Sequence, residues 1–292
     1  MKKSMTVTQD FALVNAKYKL NTSEIKFILT AITQLDSKTD TVLQEYEIKV
    51  SELEERLKSE QNETRLKQFA KKLMSKPLEV PTDDGWIVAN WFSDIEYIRG
   101  QAKFKVRFSE KLKPYLLELK ERFVAYNLKN ILPLTSTYSV RIYQLLKEYE
   151  KLKIRYFDVE ELQDILQVPK SYKVKYNDFK RKVLKVAERE LLEHTDIYFT
   201  YEEEKEGRKV ARLVFRIYPN THKAEAEKAR LFDAQAPKDY TNLYGMNCKI
   251  KGKICEHLLV ITPLADNSIN CSFRSGENYH FKSVKDLLKF KI

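Results

Sequence analysis

Between Lys170 and Arg189 the chain carries eight cationic side chains (Lys170, Lys173, Lys175, Lys180, Arg181, Lys182, Lys185 and Arg189) against two carboxylates, Asp178 and Glu188. At 100° per residue, Arg181, Lys182, Lys185 and Arg189 gather on one side of a helix spanning Tyr176 to Leu192. Phe179, Val183, Val186 and Ala187 fall on the other side. A helix fits the major groove of B-DNA, where a planar guanidinium can donate two parallel bonds to one guanine and a lysine anchors a phosphate. Arg181 and Arg189 are therefore assigned to base edges, and Lys173, Lys175, Lys180, Lys182 and Lys185 to the backbone. The competing explanation is a merely solvated helix face. Such a face usually mixes its charges, whereas this stretch holds an excess of six positive charges out of a whole-chain net of +11. Arg65, Gln68, Lys71 and Lys72, opposite Leu66, Ala70 and Leu73, form a weaker version that Glu63 dilutes. Arg208 and Lys209, beside Gly207, are placed as a wing reaching the backbone or minor groove, with four glutamates close by.

The elements that must position these residues occur twice. Val50, Leu53 and Leu57 fall on Val159, Leu162 and Leu166 at an offset of 109. Ile28, Leu29, Ala31, Ile32 and Leu35 fall on Ile142, Tyr143, Leu145, Leu146 and Tyr149 at 114, and Leu66, Ala70, Leu73 and Met74 on Phe179, Val183, Val186 and Ala187 at 113. Each copy reads as an amphipathic helix, a short alternating strand (Tyr46-Ile48-Val50; Ile154-Tyr156), a short helix, a longer basic helix and a hairpin. That is the order of a winged helix-turn-helix. Asn21 followed by Glu24 is a capping arrangement at the first helix. The hairpins are expected at Leu78 to Phe92 around Asp83-Asp84-Gly85, and at Ile197 to Tyr218 around Gly207. Ile95–Ile98 and Ala102–Phe108 stand as extra β-like material in copy one, and Ser109 to Leu132 bridges the copies.

The fold class expected is α+β: two tandem winged-helix domains (1–127 and 128–220), a helical linker (221–238) and a small β/α module (239–292). The 292 residues are 43% hydrophobic and 12% aromatic, which supplies real cores and excludes a mainly disordered chain. A pI near 9.2 favours a polyanionic partner. The longest apolar stretch, His257 to Ala265, is far too short for a bilayer, which needs about 20 residues. No secretory signal follows the basic start, so a cytoplasmic protein with reduced cysteines is expected.

Enzyme readings fail on their motifs. No phosphate-binding Gly-x-x-x-x-Gly-Lys-Ser/Thr occurs, the four histidines are isolated, and no carboxylate pair stands out as acid and base. Cys248, Cys255, His257 and Cys271 have no compact ligand spacing. No enzyme, metal or cofactor is expected.

With these residues in view, the sequence resembles the initiator Rep proteins of theta-replicating, iteron-type plasmids. The resemblance runs from about Leu13 to Tyr218. It is carried by Leu13-Val-Asn-Ala-Lys-Tyr-Lys-Leu20 leading into Glu24-Ile25, and by Pro133-Leu-Thr-Ser-Thr-Tyr-Ser-Val-Arg-Ile-Tyr-Gln-Leu-Leu-Lys-Glu-Tyr149. Tyr176-x-x-Phe179-Lys-Arg-Lys-Val183 and Gly207-Arg-Lys-Val210 complete it. The resemblance implies a C-terminal winged helix that reads directly repeated origin sites in double-stranded DNA. It implies an N-terminal one shared between DNA contact and dimerisation, with monomers on the repeats and dimers repressing the promoter. The host replication initiator and replicative helicase are implied as partners. The family's basic helix maps onto Lys180, Arg181, Lys182, Lys185 and Arg189. The alternative is a winged-helix transcriptional regulator that does not start replication, since fold underdetermines function.

Overall fold

The computed structural model describes residues 5–51, 62–120, 122–220, 248–250, 253–255, 258–263, 269–273, 278–281, 287 and 289–290. The helix expected at Leu53–Leu57, the helical linker 221–238 and most of the helix expected over Ser283–Phe290 lie outside these residues. The chain divides into two compact units between Asn220 and Thr221.

The first unit opens with strand β1 (Thr6–Asp10), helix α1 (Phe11–Asn15), strand β2 (Lys17–Tyr18) and helix α2 (Thr22–Ile32). The Asn21 side chain accepts from the Glu24 backbone N–H at 2.9 Å, and Glu24 accepts from the Asn21 N–H at 2.7 Å, so the expected capping box is formed. Strand β3 (Glu45–Lys49), helix α3 (Glu63–Met74), the hairpin β4 (Leu78–Thr82) and β5 (Gly85–Ala89), and the strands β6 (Phe92–Ile98) and β7 (Lys103–Phe108) follow. A short helix α4 (Lys113–Leu116) and strand β8 (Phe123–Asn127), which pairs antiparallel with β1, occupy the stretch read as a bridge.

The second half repeats the plan with helix α5 (Thr137–Glu148), strand β9 (Ile154–Asp158), helices α6 (Val159–Ile165) and α7 (Lys170–Val174), and a long helix from Tyr176 to His194. The hairpin β10 (Ile197–Glu206) and β11 (Lys209–Pro219) closes it.

The sheets show that the duplication runs further than the helices. In the second half β11 lies between β9 and β10; in the first, β7 lies between β3 and β6. Ile48 pairs with Phe104 and Phe157 with Leu213, so the offset of 109 that relates β3 to β9 also relates β7 to β11. Phe104, Val106 and Phe108 and their counterparts Leu213, Phe215 and Ile217 are all buried.

Two expectations are thereby corrected. The first wing is the β6–β7 hairpin, not Leu78 to Phe92, because β7 alone pairs along the length of β3. The β4–β5 hairpin pairs instead with β2. In β9 the inward residues are Arg155 and Phe157, and Tyr156 points to solvent. Apolar alternation misled because a buried arginine took an inward place.

Helix α5 packs against α1, α2 and β8 of the first half and α9 (Lys185–His194) of the second. Two buried arginines, Arg141 on this helix and Arg155 on β9, bond across to the first half. Arg141, 2% exposed, donates to the Tyr18 hydroxyl at 2.6 Å and to the Ala16 carbonyl at 2.8 Å, and lies 4.1 Å from the Tyr18 ring. Arg155 donates to the Leu145 carbonyl, to Glu148 at 2.8 Å and to the Asn15 side chain at 2.7 Å. Burying polar groups is costly unless they find such partners.

In the second unit, β12 (Cys248–Ile250) pairs with β13 (Lys253–Cys255), and β14 (Leu258–Pro263), β15 (Ile269–Phe273) and β16 (Asn278–Phe281) form an antiparallel sheet. Cys248, Cys255 and Cys271 are free thiols within its apolar core. Burial, with Cys248 nearby, pushes the Cys271 thiol up to about 12. Among the described residues no group of histidines, cysteines and carboxylates is arranged to hold a metal ion.

Candidate nucleic-acid interface

The long helix comprises α8 (Tyr176–Phe179), a π turn over Lys180–Leu184, and α9. Phe179, Val183, Leu184, Ala187 and Leu191 are buried against the core, and Val186 is only half-buried. The wheel differs from this set because the wide π turn takes up an extra residue. Leu184 thereby joins the buried face and Val186 moves to its edge.

The same turn matters on the outer side. In a regular helix, side chains four residues apart drift by about 40° per step. The π turn, Lys180–Leu184, covers the step from Arg181 to Lys185 and takes back part of that drift. Arg181, Lys185 and Arg189 thus run closer to one line along the exposed face, and all three are exposed. π turns inside helices occur frequently at functional sites.

Local carboxylates hold several of these cations. Arg181 donates to Asp178 at 3.0 Å, and Lys182 lies 3.8 Å from the same oxygen and 4.8 Å from the centre of the Tyr172 ring. The Arg181 hydrogen bond, with Lys182 beside it, holds the Asp178 carboxyl below its usual range. Lys185 donates to Glu188 at 2.6 Å, and Lys173 is bonded to Asp164. Arg189 has no ion-pair partner among the described residues. Exposed pairs of this kind are weak ties, so they leave the cations available to a phosphate.

The wing completes the surface. Glu206 and Lys209 pair across a two-residue turn, and Gly207 takes φ of +62°, the left-handed value that a glycine supplies at the first central position of a tight hairpin. This sets Arg208 at the tip, exposed, while Lys209 reaches Glu160 at 2.5 Å. A cleft of about 790 Å³ lies between the wing and the start of the long helix, and it brings together Lys175, Lys180, Lys205, Arg208 and Lys209. Lys205 and Glu203 were not singled out from sequence as members of the site. They face the helix only through the β10 register.

In the first half, Arg65, Gln68, Lys71 and Lys72 are exposed on α3, opposite buried Leu66 and Leu73. Arg99, at the tip of the first wing and 109 residues before Arg208, lies outside the hairpin that the sequence suggests around Asp83-Asp84-Gly85. It donates twice to Glu63 at the start of α3, at 2.6 and 2.8 Å. The first wing tip is tied to its helix, and the second is not.

Comparison with known proteins matches both halves. Residues 6–147 match the first winged-helix domain (WH1) of the initiator replication proteins, and residues 158–217 match the second (WH2). A replication initiation protein of Escherichia coli is 28% identical over 158 residues, covering 52% of this chain and 48% of that protein. The PI protein of Escherichia coli is 30% identical over 176 residues, covering 49% of this chain and 58% of the relative. The chain therefore spans about half the length of these curated relatives. The fold of the Pi initiator protein, crystallised in complex with iteron DNA, superimposes with a TM-score of 0.62 at 22% identity, covering 75% of this chain and 99% of that one. The profile matches take in both winged helices described above, and the chain belongs to the initiator replication protein family.

Proposed function

We propose that this chain starts plasmid replication by binding tandem repeats in duplex origin DNA, sequence-specifically and without a catalytic residue. The observation that carries the proposal is the exposed Arg181–Lys185–Arg189 line on the second winged helix, beside a cation-lined cleft that the wing completes. Family membership and the Pi initiator's complex with iteron DNA support it.

In this reading phosphate contacts from Lys173, Lys175, Lys180, Lys182, Lys185, Arg208 and Lys209 supply affinity. Arg181 and Arg189 fix the register on base edges. Several bound copies then strain an adjacent AT-rich duplex. Residues 128–220 are the main reader. Residues 1–127 add auxiliary contacts from Arg65, Gln68, Lys71 and Lys72 and a surface for self-association. The host initiator and replicative helicase are the partners, in the cytoplasm. Among the described residues no helix is long and apolar enough to cross a membrane.

The test is an affinity titration on duplex DNA taken from beside the coding region. Arg189→Ala should cost about 1–3 kcal/mol and relax preference at one base pair. Arg181→Ala should cost about as much, since its exposed pair with Asp178 is a weak tie. Lys185→Ala should weaken binding to every sequence and make the salt slope shallower by about one unit. Wild-type binding by all of these variants would remove the helix from the interface.

A further inference from the structure

Of the carboxylates lining the cleft, Asp178 is already shared between Arg181 and Lys182. Glu203 is different. It sits on β10, and its side chain is 21% exposed. One carboxylate oxygen accepts from the Tyr176 hydroxyl at 2.9 Å and lies 2.8 Å from the Lys180 ammonium. An acidic group among five cations lowers the potential that a phosphate meets there, and it occupies one cation outright.

We propose that Glu203 is a selectivity residue: it withholds the Lys180 ammonium from arbitrary duplex and yields it to a phosphate only when a cognate repeat is seated. The proposal rests on the DNA-reading role given above. Affinity for arbitrary DNA comes essentially from phosphate neutralisation and counterion release. A lysine already paired with a carboxylate adds less to that sum. A cognate repeat also brings base contacts, and these can draw the helix close enough for Lys180 to exchange one oxygen for another. A partly exposed pair is weak enough for that exchange. Burial opposes ionisation of Glu203, yet the Lys180 and Tyr176 bonds outweigh it and leave the carboxyl below its usual range, so the anion is present at neutral pH.

Glu203→Gln isolates the charge, because the amide oxygen still accepts from Tyr176 and Lys180 and melting should stay at the wild-type value. The measurement is fluorescence anisotropy across a salt series on two duplexes of equal length, the segment beside the gene that the wild type protects and a random sequence. On random duplex the variant should bind several-fold more tightly, with a salt slope steeper by about one unit. On the protected segment it should change much less, so the ratio between the two falls. Adding Lys180→Ala to Glu203→Gln should return the random-duplex slope to that of wild type. Equal tightening on both duplexes, weakening on both, or no change overturns the proposal while leaving the DNA-reading role intact. A wild-type protein that does not distinguish the two duplexes overturns both.

Discussion

Phe179→Ala should lower unfolding free energy by about 3–5 kcal/mol, the usual cost of truncating a fully buried aromatic side chain. Phe179 is 0% exposed, and its ring lies 6.2 Å from that of Tyr176 at an interplanar angle of 52°. It sits immediately before the π turn, so a cavity there removes the support of the turn as well as apolar contact. Chemical denaturation followed by circular dichroism gives the loss, and DNA binding should fall with the folded fraction. Unchanged melting would place Phe179 outside the core and undo the assignment of inner and outer faces.

Arg155→Ala should destabilise to a similar extent by a different route. Arg155 and Glu148 have side chains 8% and 6% exposed, 2.8 Å apart. Removing one member of a buried pair leaves an uncompensated charge and costs about 3–5 kcal/mol. The Glu148 carboxylate would keep only the Asn15 amide, at 2.9 Å. Replacing the pair together, as Arg155→Met with Glu148→Leu, should recover much of that loss, since a buried ion pair exchanged for apolar side chains is often neutral. Melting temperatures of the single and double variants distinguish the cases. A single variant as stable as wild type would mean that Glu148 finds another partner.

Arg155 also marks the limit of what is legible in the chain. The duplication, the winged-helix order and the outward face of the basic helix follow from apolar periodicity, because helices and hairpins that bury one face must repeat that pattern. Tyr46 and Ile48 correspond to Arg155 and Phe157 by the same offset of 109, yet an apolar alternation rule selects Ile154 and Tyr156. The rule cannot see that Leu145, Glu148 and Asn15 wait for the guanidinium. Arg141 hides in the same way, buried against Tyr18 from the other half. The first wing is not legible because Leu78 to Ala89 is an equally good hairpin locally, and only its pairing with β2 rather than β3 tells them apart. The π turn has no apolar signature of its own, so the drift of Val186 and the entry of Leu184 were invisible.

At the interface, composition reported an excess of cations but not their ties. Asp178, Glu188 and Glu203 each hold a basic side chain of the helix. The exposed face is thus less starkly positive than its sequence. What distinguishes it from a solvated surface is geometry. Arg181, Lys185 and Arg189 are all exposed on the outer face, the wing tip carries Arg208 with no ion-pair partner among the described residues, and a cleft between the wing and the start of the helix gathers further cations.

The most direct test is a nuclease footprint of the purified protein on the DNA flanking its own gene. Wild type and a folded variant carrying Arg181→Ala, Lys185→Ala and Arg189→Ala should be run side by side. Wild type should protect evenly spaced tandem repeats beside an AT-rich stretch, and the variant should lose that protection. Equal protection by the variant would contradict the role of this helix; a single protected promoter site without repeats would point to a transcriptional regulator instead.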